Sequence, residues 1–179
     1  MGSKKVENWL IGGQSGPMDP DHDISAVLAG FDGKHVAPLR EAAGKGVPDA
    51  FLRHLVGPHQ VAASWCLKAQ AEAGRLRDAH YAEVFAALST LSAADALLHV
   101  LQMVQHASGA ARPYRPEFVR LAGHPRLLVT VWAFDAYIRT ARPGEEVDRD
   151  ERIRQGLRHR SKAMQARARG LAREFGVAV

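Results

Sequence analysis

Apolar residues recur along this chain at helical spacing, and three such stretches repeat one another. The segments align without a gap at offsets of 34 and 33 residues: 51–73, 85–107 and 118–140. In this register Phe51 matches Phe85 and Phe118. Repeats of this period are typical of an α-solenoid, in which helix pairs stack because one pair cannot bury its apolar face alone. The pattern therefore predicts an all-α superhelix of about three helix pairs.

Proline, serine and glycine residues stand where the helices of each repeat should begin or end. The predicted helix pairs are 48–56 with 58–73, 78–91 with 92–107, and 116–122 with 125–141. We expect a single helical-repeat domain over 22–179, with repeats at about 48–74, 75–109 and 110–143. Residues 22–44 would form one or two short cap helices. Residues 1–21 lack periodicity and predict a flexible N-terminal arm.

The second helix of each repeat carries two neighbouring stripes. One is small or apolar in every repeat, and we expect it to be core: Ala62, Ala96 and Val129; Cys66, Val100 and Ala133; Ala69, Met103 and Ala136. Cys66 is thus predicted to be a buried structural thiol. The other stripe is aromatic and polar, and it supplies the candidate ligand-binding residues: Trp65, Lys68, His99, Gln102, Trp132, Asp135 and Arg139. This second stripe is either a set of interhelical polar ladders beside core tryptophans or a concave binding face.

Residues 58–69 and 125–137 resemble the second helix of the HEAT-like repeat family. The resemblance covers about 48–141 and implies a binding scaffold, since such motifs specify a fold better than a function. The chain is more weakly similar to the alkylpurine DNA glycosylase branch of that family, which holds a damaged nucleotide with concave tryptophans and an aspartate. That similarity would make Asp135 a catalytic residue. Here, however, Asp135 follows Trp132 by three residues, where that branch has a full four-residue turn.

The basic residues of this chain are concentrated at its C-terminus. The formal net charge is +5, and residues 139–179 carry 11 basic and 6 acidic side chains. An apolar seam from Ile153 to Phe175 predicts one long helix over 148–175. This helix either caps the solenoid or binds nucleic acid through its cations, for which the candidates are Arg154, Arg158, Lys162 and Arg169.

Other features restrict the classes of function. No apolar run approaches 18 residues and no signal peptide is evident, so we expect a cytoplasmic protein that does not enter a membrane. Asp95, His99 and His106 share a helix face, but they lack the further ligands that zinc or iron requires. We therefore expect no metal site, no cofactor and no catalytic residue.

The sequence alone thus favours a non-catalytic HEAT-like binding module whose partner is a protein. The alternative is a nucleic-acid-binding protein that uses the tryptophan and histidine row together with the basic C-terminal helix. A glycosylase-like activity is the enzymatic form of that alternative. The oligomeric state is not specified by any pattern in the chain.

Overall fold

The described part of the chain is entirely helical. The computed structural model describes residues 20–178, with side chains from residue 24 onward, and no strand occurs between these limits. The predicted all-α class is confirmed there. The predicted flexible arm comprises residues 1–21. Only its last two positions, 20 and 21, belong to the described residues. None of the helices between residues 20 and 178 is long and apolar enough to cross a bilayer.

The helices follow one another with short connections. In chain order they are α1 (Pro20–Ala29), α2 (Ala37–Lys45), α3 (Pro48–Leu52), α4 (Gln60–Glu72), α5 (Asp78–Ala86), α6 (Ala94–Met103), α7 (Ser108–Ala111), α8 (Arg115–Leu121), α9 (Leu127–Arg139), α10 (Glu146–Leu157) and α11 (Lys162–Phe175). Single 3-10 turns extend α5 and α6 and join α7 to α8. The three predicted pairs correspond to α3 with α4, α5 with α6, and α8 with α9.

Helices contact one another in an order that follows the chain. The second helices form one series, in which α4 lies between α2 and α6, and α9 lies between α6 and α11. Among the first helices, α5 contacts α3, and it also contacts α7, the short helix that comes before α8. Each second helix therefore packs against the second helix of the next pair, and apolar residues between the helices form the core.

Three phenylalanines mark equivalent places in this core. Phe51, Phe85 and Phe118 are each fully buried at 0% exposure. The stripe that was predicted to be core is also buried, apart from Ala69, which is partly exposed while it packs against the same cluster. The repeat register thus assigns corresponding buried positions correctly.

One side chain connects the first pair directly to the second. The Oε1 atom of Gln60 accepts hydrogen bonds from the backbone N–H groups of Ser92 and Ala93, both at 2.9 Å. Its Nε2 atom donates to the Ser92 hydroxyl at 3.1 Å. The N–H groups of the two residues that precede α6 are therefore satisfied by a side chain of α4.

The predicted single C-terminal helix over 148–175 is wrong. The chain leaves helical conformation at Arg158 and re-enters it at Lys162, so that α10 and α11 form a hairpin whose two helices pack on each other. Burial explains the break. Ile153 and Leu171 belong to one apolar cluster, whereas 18 residues of continuous helix would separate them by about 27 Å.

Gly156 allows this hairpin to close. A Cβ atom at this position would lie 2.8 Å from Cζ of Phe134 and 2.9 Å from Cβ of Ala168. Both contacts are shorter than real Cβ atoms tolerate, so α10 approaches α9 and α11 only because position 156 has no side chain.

We expect Gly156→Ala to destabilise the protein by about 1–3 kcal/mol, because overpacking outweighs the better helix propensity of alanine. Gly170→Ala is the matched control, since a Cβ atom there meets nothing within 4 Å. That variant should be neutral or up to about 1 kcal/mol more stable. Urea denaturation of both variants measures the difference, and equal free energies of unfolding would contradict the close approach at Gly156.

Candidate functional site

The candidate binding stripe begins as a row of three rings on neighbouring helices. Trp65 lies on α4, His99 on α6 and Trp132 on α9, and all three are partly exposed. Both tryptophans also pack against the main core cluster. The row therefore shares features of both interpretations of the sequence, because each tryptophan packs against the core and is still partly exposed to solvent.

The centre of the row is a neutral histidine. Nδ1 of His99 lies 3.0 Å from the hydroxyl of Ser64, which itself donates to the carbonyl of Val61. The hydroxyl oxygen is thus left to accept, so the proton of His99 is on Nδ1. Burial, and then the positive charge of Lys68, lower the pKa of His99 to about 4. At neutral pH this imidazole carries no charge.

The polar residues beside the row differ in how firmly they are held. Lys68 pairs with Glu72 one turn later on α4, at 2.6 Å between Nζ and Oε1. Gln102 on α6 is partly exposed. These groups form an accessible polar border beside Trp65 and His99.

At the third helix the polar residue is wholly buried. Asp135 is 0% exposed, and its Oδ2 atom accepts a hydrogen bond from Nε of Arg139 at 2.8 Å. Its Oδ1 atom lies 2.8 Å from Nε of Arg167 on α11, as an ion pair without hydrogen-bond geometry. Two guanidinium groups from two helices thus neutralise one buried carboxylate. The carboxylate is therefore closed off from solvent, with an arginine nitrogen beside each of its oxygens.

The same arginines continue the network across the α9–α11 contact. Arg139 also donates a bidentate pair of hydrogen bonds to Glu174, at 2.5 and 2.6 Å, and these bonds lower the pKa of the Glu174 carboxyl group. The guanidinium carbon of Arg167 lies 3.7 Å from the centre of the Trp132 ring, as a cation–π contact. We call these five residues the α9–α11 latch: Trp132, Asp135, Arg139, Arg167 and Glu174.

Sequence reasoning identified three members of the latch as ligand-binding residues and missed Arg167 and Glu174. Asp135 and Arg139 are bound to each other and to α11, whereas Trp65, Lys68, His99 and Gln102 remain at an accessible surface. One signal pointed to the missing partners. The run from Arg152 to Arg173 has no acidic residue, so its arginines must find acids elsewhere in the fold or remain unpaired.

The remaining candidate groups are dispersed. Cys66 is buried, its thiol donates to the carbonyl of Leu39 at 3.6 Å, and burial raises its pKa to about 12, as expected for a structural thiol. Among the described residues, no three histidine, cysteine, aspartate or glutamate side chains come together as metal ligands. A cleft of about 360 Å³ lies between α8, α9 and the hairpin, lined in part by Phe118, Phe134 and Tyr137.

No protein-family model matches this chain, and comparisons with curated proteins and with solved structures likewise found no match.

We expect Asp135→Asn to cost about 2–3 kcal/mol of unfolding free energy, because it leaves the partly buried Arg167 without its counter-charge and removes a charged hydrogen bond from Arg139, which keeps only Glu174. Asp148→Asn is the matched control, since Asp148 also pairs with an arginine, Arg152, but both side chains are about half exposed. That exposed pair should contribute no more than about 1 kcal/mol. Chemical denaturation of both variants tests the latch, and equal losses would show that it does not hold α11.

The neutral state of His99 predicts a loss of stability in acid. Its pKa is near 4 in the folded chain and 6.5 in the reference state. The stabilisation is therefore fully present above pH 6.5 and is lost as the pH falls toward 4, by up to about 3 kcal/mol. We expect His99→Gln to flatten the dependence of unfolding free energy on pH in this window. The exposed His106→Gln serves as the control, and it should leave the wild-type dependence unchanged.

Proposed function

We propose that this chain is a non-catalytic binding module of the HEAT-like type, a short α-solenoid that holds a macromolecular partner in the cytoplasm. A protein is the partner that the row of rings suits best. The order of the helix contacts supports the solenoid, because the second helices of successive pairs, α4, α6 and α9, pack on one another in turn. Stacking of this kind is what gives repeat proteins their extended binding surfaces.

The observation that carries the proposal is the partly exposed row on α4, α6 and α9. Trp65 and Trp132 are large rigid rings that are already anchored in the core, although Arg167 covers one face of Trp132. Tryptophan is enriched at binding hot spots. Leu128 extends the row by one turn on α9, at i−4 from Trp132, and it is 44% exposed. A row of aromatic rings with an uncharged centre and a polar border of Lys68 and Gln102 has the composition of a protein interface.

The latch supports the non-catalytic part of the proposal. A catalytic carboxylate has to contact substrate, but Asp135 is fully buried and both of its oxygens face arginine nitrogens. Its charge is used to fix α11 on α9. The resemblance to glycosylases therefore concerns residue types and not an available acid.

A site-specific photo-cross-linker tests the row as a docking surface. Benzoylphenylalanine placed at position 128 should capture a discrete cellular protein, whereas the same probe at position 147, where Val147 is 83% exposed on α10, should not. The captured protein, once purified, should bind the wild-type chain. We expect Leu128→Ser to weaken that complex about tenfold or more, since a hot-spot side chain contributes at least about 1–2 kcal/mol. Val147→Ser should bind as the wild type does.

Fluorescence provides an independent readout of the same complex. With Trp9 replaced by phenylalanine, Trp65 and Trp132 are the only tryptophans left in the chain. The bound partner should protect both from quenching by acrylamide. Equal capture at positions 128 and 147, or unchanged quenching in the complex, would contradict docking on the row. Release of alkylated base from DNA by the wild-type protein would contradict the non-catalytic assignment.

A further inference from the structure

The cations of the C-terminal hairpin separate into two sets. Four arginines have acidic partners, and three of these pairs lie within α10: Arg149 with Asp150 at 2.8 Å, Arg152 with Asp148 at 3.1 Å, Arg154 with Glu151 at 3.8 Å and Arg167 with Asp135 at 2.8 Å. Arg154, a nucleic-acid-binding candidate from the sequence, thus has an acid beside it. The charges of this set are offset inside the protein.

The second set has no such compensation. Its five members are exposed, and their side chains form no hydrogen bond or ion pair with any residue of the described part of the chain: Arg158, Arg160, Lys162, Arg169 and Arg173. We call them the outer basic face. Sequence reasoning included three of them and could not separate them from Arg154.

The outer basic face is continuous because of helix geometry. Lys162, Arg169 and Arg173 are spaced by seven and four residues, which places them on one side of α11. The buried residues Met164 and Leu171 lie on the opposite side. The three cations extend over 12 residues, or about 16 Å of helix axis between the first and the last. Arg158 and Arg160 continue the face into the turn that precedes α11.

We propose that the outer basic face binds the phosphate backbone of a nucleic acid. Four of its five cations are arginines, whose planar guanidinium groups match phosphate oxygens in a bidentate manner. Its length corresponds to about five successive phosphates of one strand, at 3.4 Å of helix axis per phosphate. This surface is distinct from the row of rings, since Arg167 points toward α9 from the side of α11 that faces the latch.

The composition of the outer basic face argues against a membrane surface or an acidic protein as its partner. A helix that lies on a membrane must insert an apolar side, but the apolar side of α11 is buried in the fold. A protein interface needs an apolar centre, whereas the positions between these cations are the exposed Ala166 and the half-buried Gly170. Small residues allow a polyanion to approach closely without adding apolar contact.

The same composition predicts recognition without sequence preference. Base edges are read by arginine or lysine on guanine and by asparagine or glutamine on adenine. The one amide side chain of α11, Gln165, donates to the carbonyl of His159 at 2.7 Å. The cations of the outer basic face lie along the outward side of α11, at a length that suits the phosphates of one strand. We therefore expect most contacts to be with phosphates, which makes the binding electrostatic and strongly dependent on salt.

Anisotropy titrations of a fluorescein-labelled 20-base-pair duplex at several salt concentrations test the proposal. If all five cations contact phosphates, the plot of log K against log salt should have a slope of about −4.5. Two duplexes of unrelated sequence should bind equally. We expect the triple variant Lys162→Gln/Arg169→Gln/Arg173→Gln to reduce the slope to about −2 and to weaken binding roughly 10²- to 10³-fold at 0.1 M salt.

A charge-matched control distinguishes a site from net charge. Arg149→Gln/Arg152→Gln/Arg154→Gln removes the same three charges from the paired set, and it should change both slope and affinity little. Circular dichroism melts of both triple variants exclude unfolding as the cause. Equal losses in the two variants, or a wild-type slope near zero, would overturn the proposal.

Two further probes identify the polyanion. Vesicles that contain phosphatidylserine and a polyglutamate chain should bind much more weakly than the duplex. If either probe binds as tightly as the duplex and loses that binding in the Lys162 triple variant, the outer basic face binds a membrane or an acidic protein. The nucleic-acid assignment would then be wrong. Leu128→Ser should leave duplex binding unchanged. A result against nucleic-acid binding by the outer basic face is therefore distinct from a result against protein docking on the row of rings.

Discussion

The burial of one carboxylate constrains much of this molecule. Removing an isolated Asp135 side chain from water would cost several kcal/mol, and the guanidinium groups of Arg139 and Arg167 compensate that cost. One of these arginines is a neighbour on α9, but the other comes from α11, 32 positions later in the chain. The C-terminal hairpin is therefore tied to the last repeat. Its docking also places a cation on the ring of Trp132 and brings Glu174 to Arg139.

Because of this constraint, some cations of the hairpin stabilise the fold and others remain at its surface. Arg167 is used inside the fold, and the arginines of α10 are offset by the acids beside them. The cations that remain lie on the outward side of α11 and in the turn before it. A count of basic residues treats all of them alike. The structure separates those that hold the protein together from those that are free to meet a partner, and so α11 contributes both to the latch and to the outer basic face.

The sequence predicted more of the fold than of the candidate site. Phe51, Phe85 and Phe118 could be aligned because equivalent positions of a repeat bury equivalent side chains, and their burial agrees with that register. Helical periodicity put Trp65 and His99 in one stripe, and both are partly exposed. The same periodicity put Asp135 in that stripe. Its burial was missed because a stripe in the sequence does not show which residues pack against it. A helix through Arg158 was predicted because the apolar spacing continues across the turn, although those residues meet their neighbours by folding back.

What the sequence by itself determined is therefore local and periodic: the helical class, the positions of the repeated pairs, the inward stripe that includes Cys66, and the basic excess of the tail. These follow from spacings of three and four residues and from capping residues, which act within one or two turns of a helix. Only the tertiary structure decided that the tail is a hairpin, that Asp135 is sealed by Arg167, and that Arg154 is paired while Arg169 is not. Those outcomes depend on which distant groups come within about 3 Å of one another, and a carboxylate or a guanidinium group acquires its role from that neighbour and not from its place in the chain.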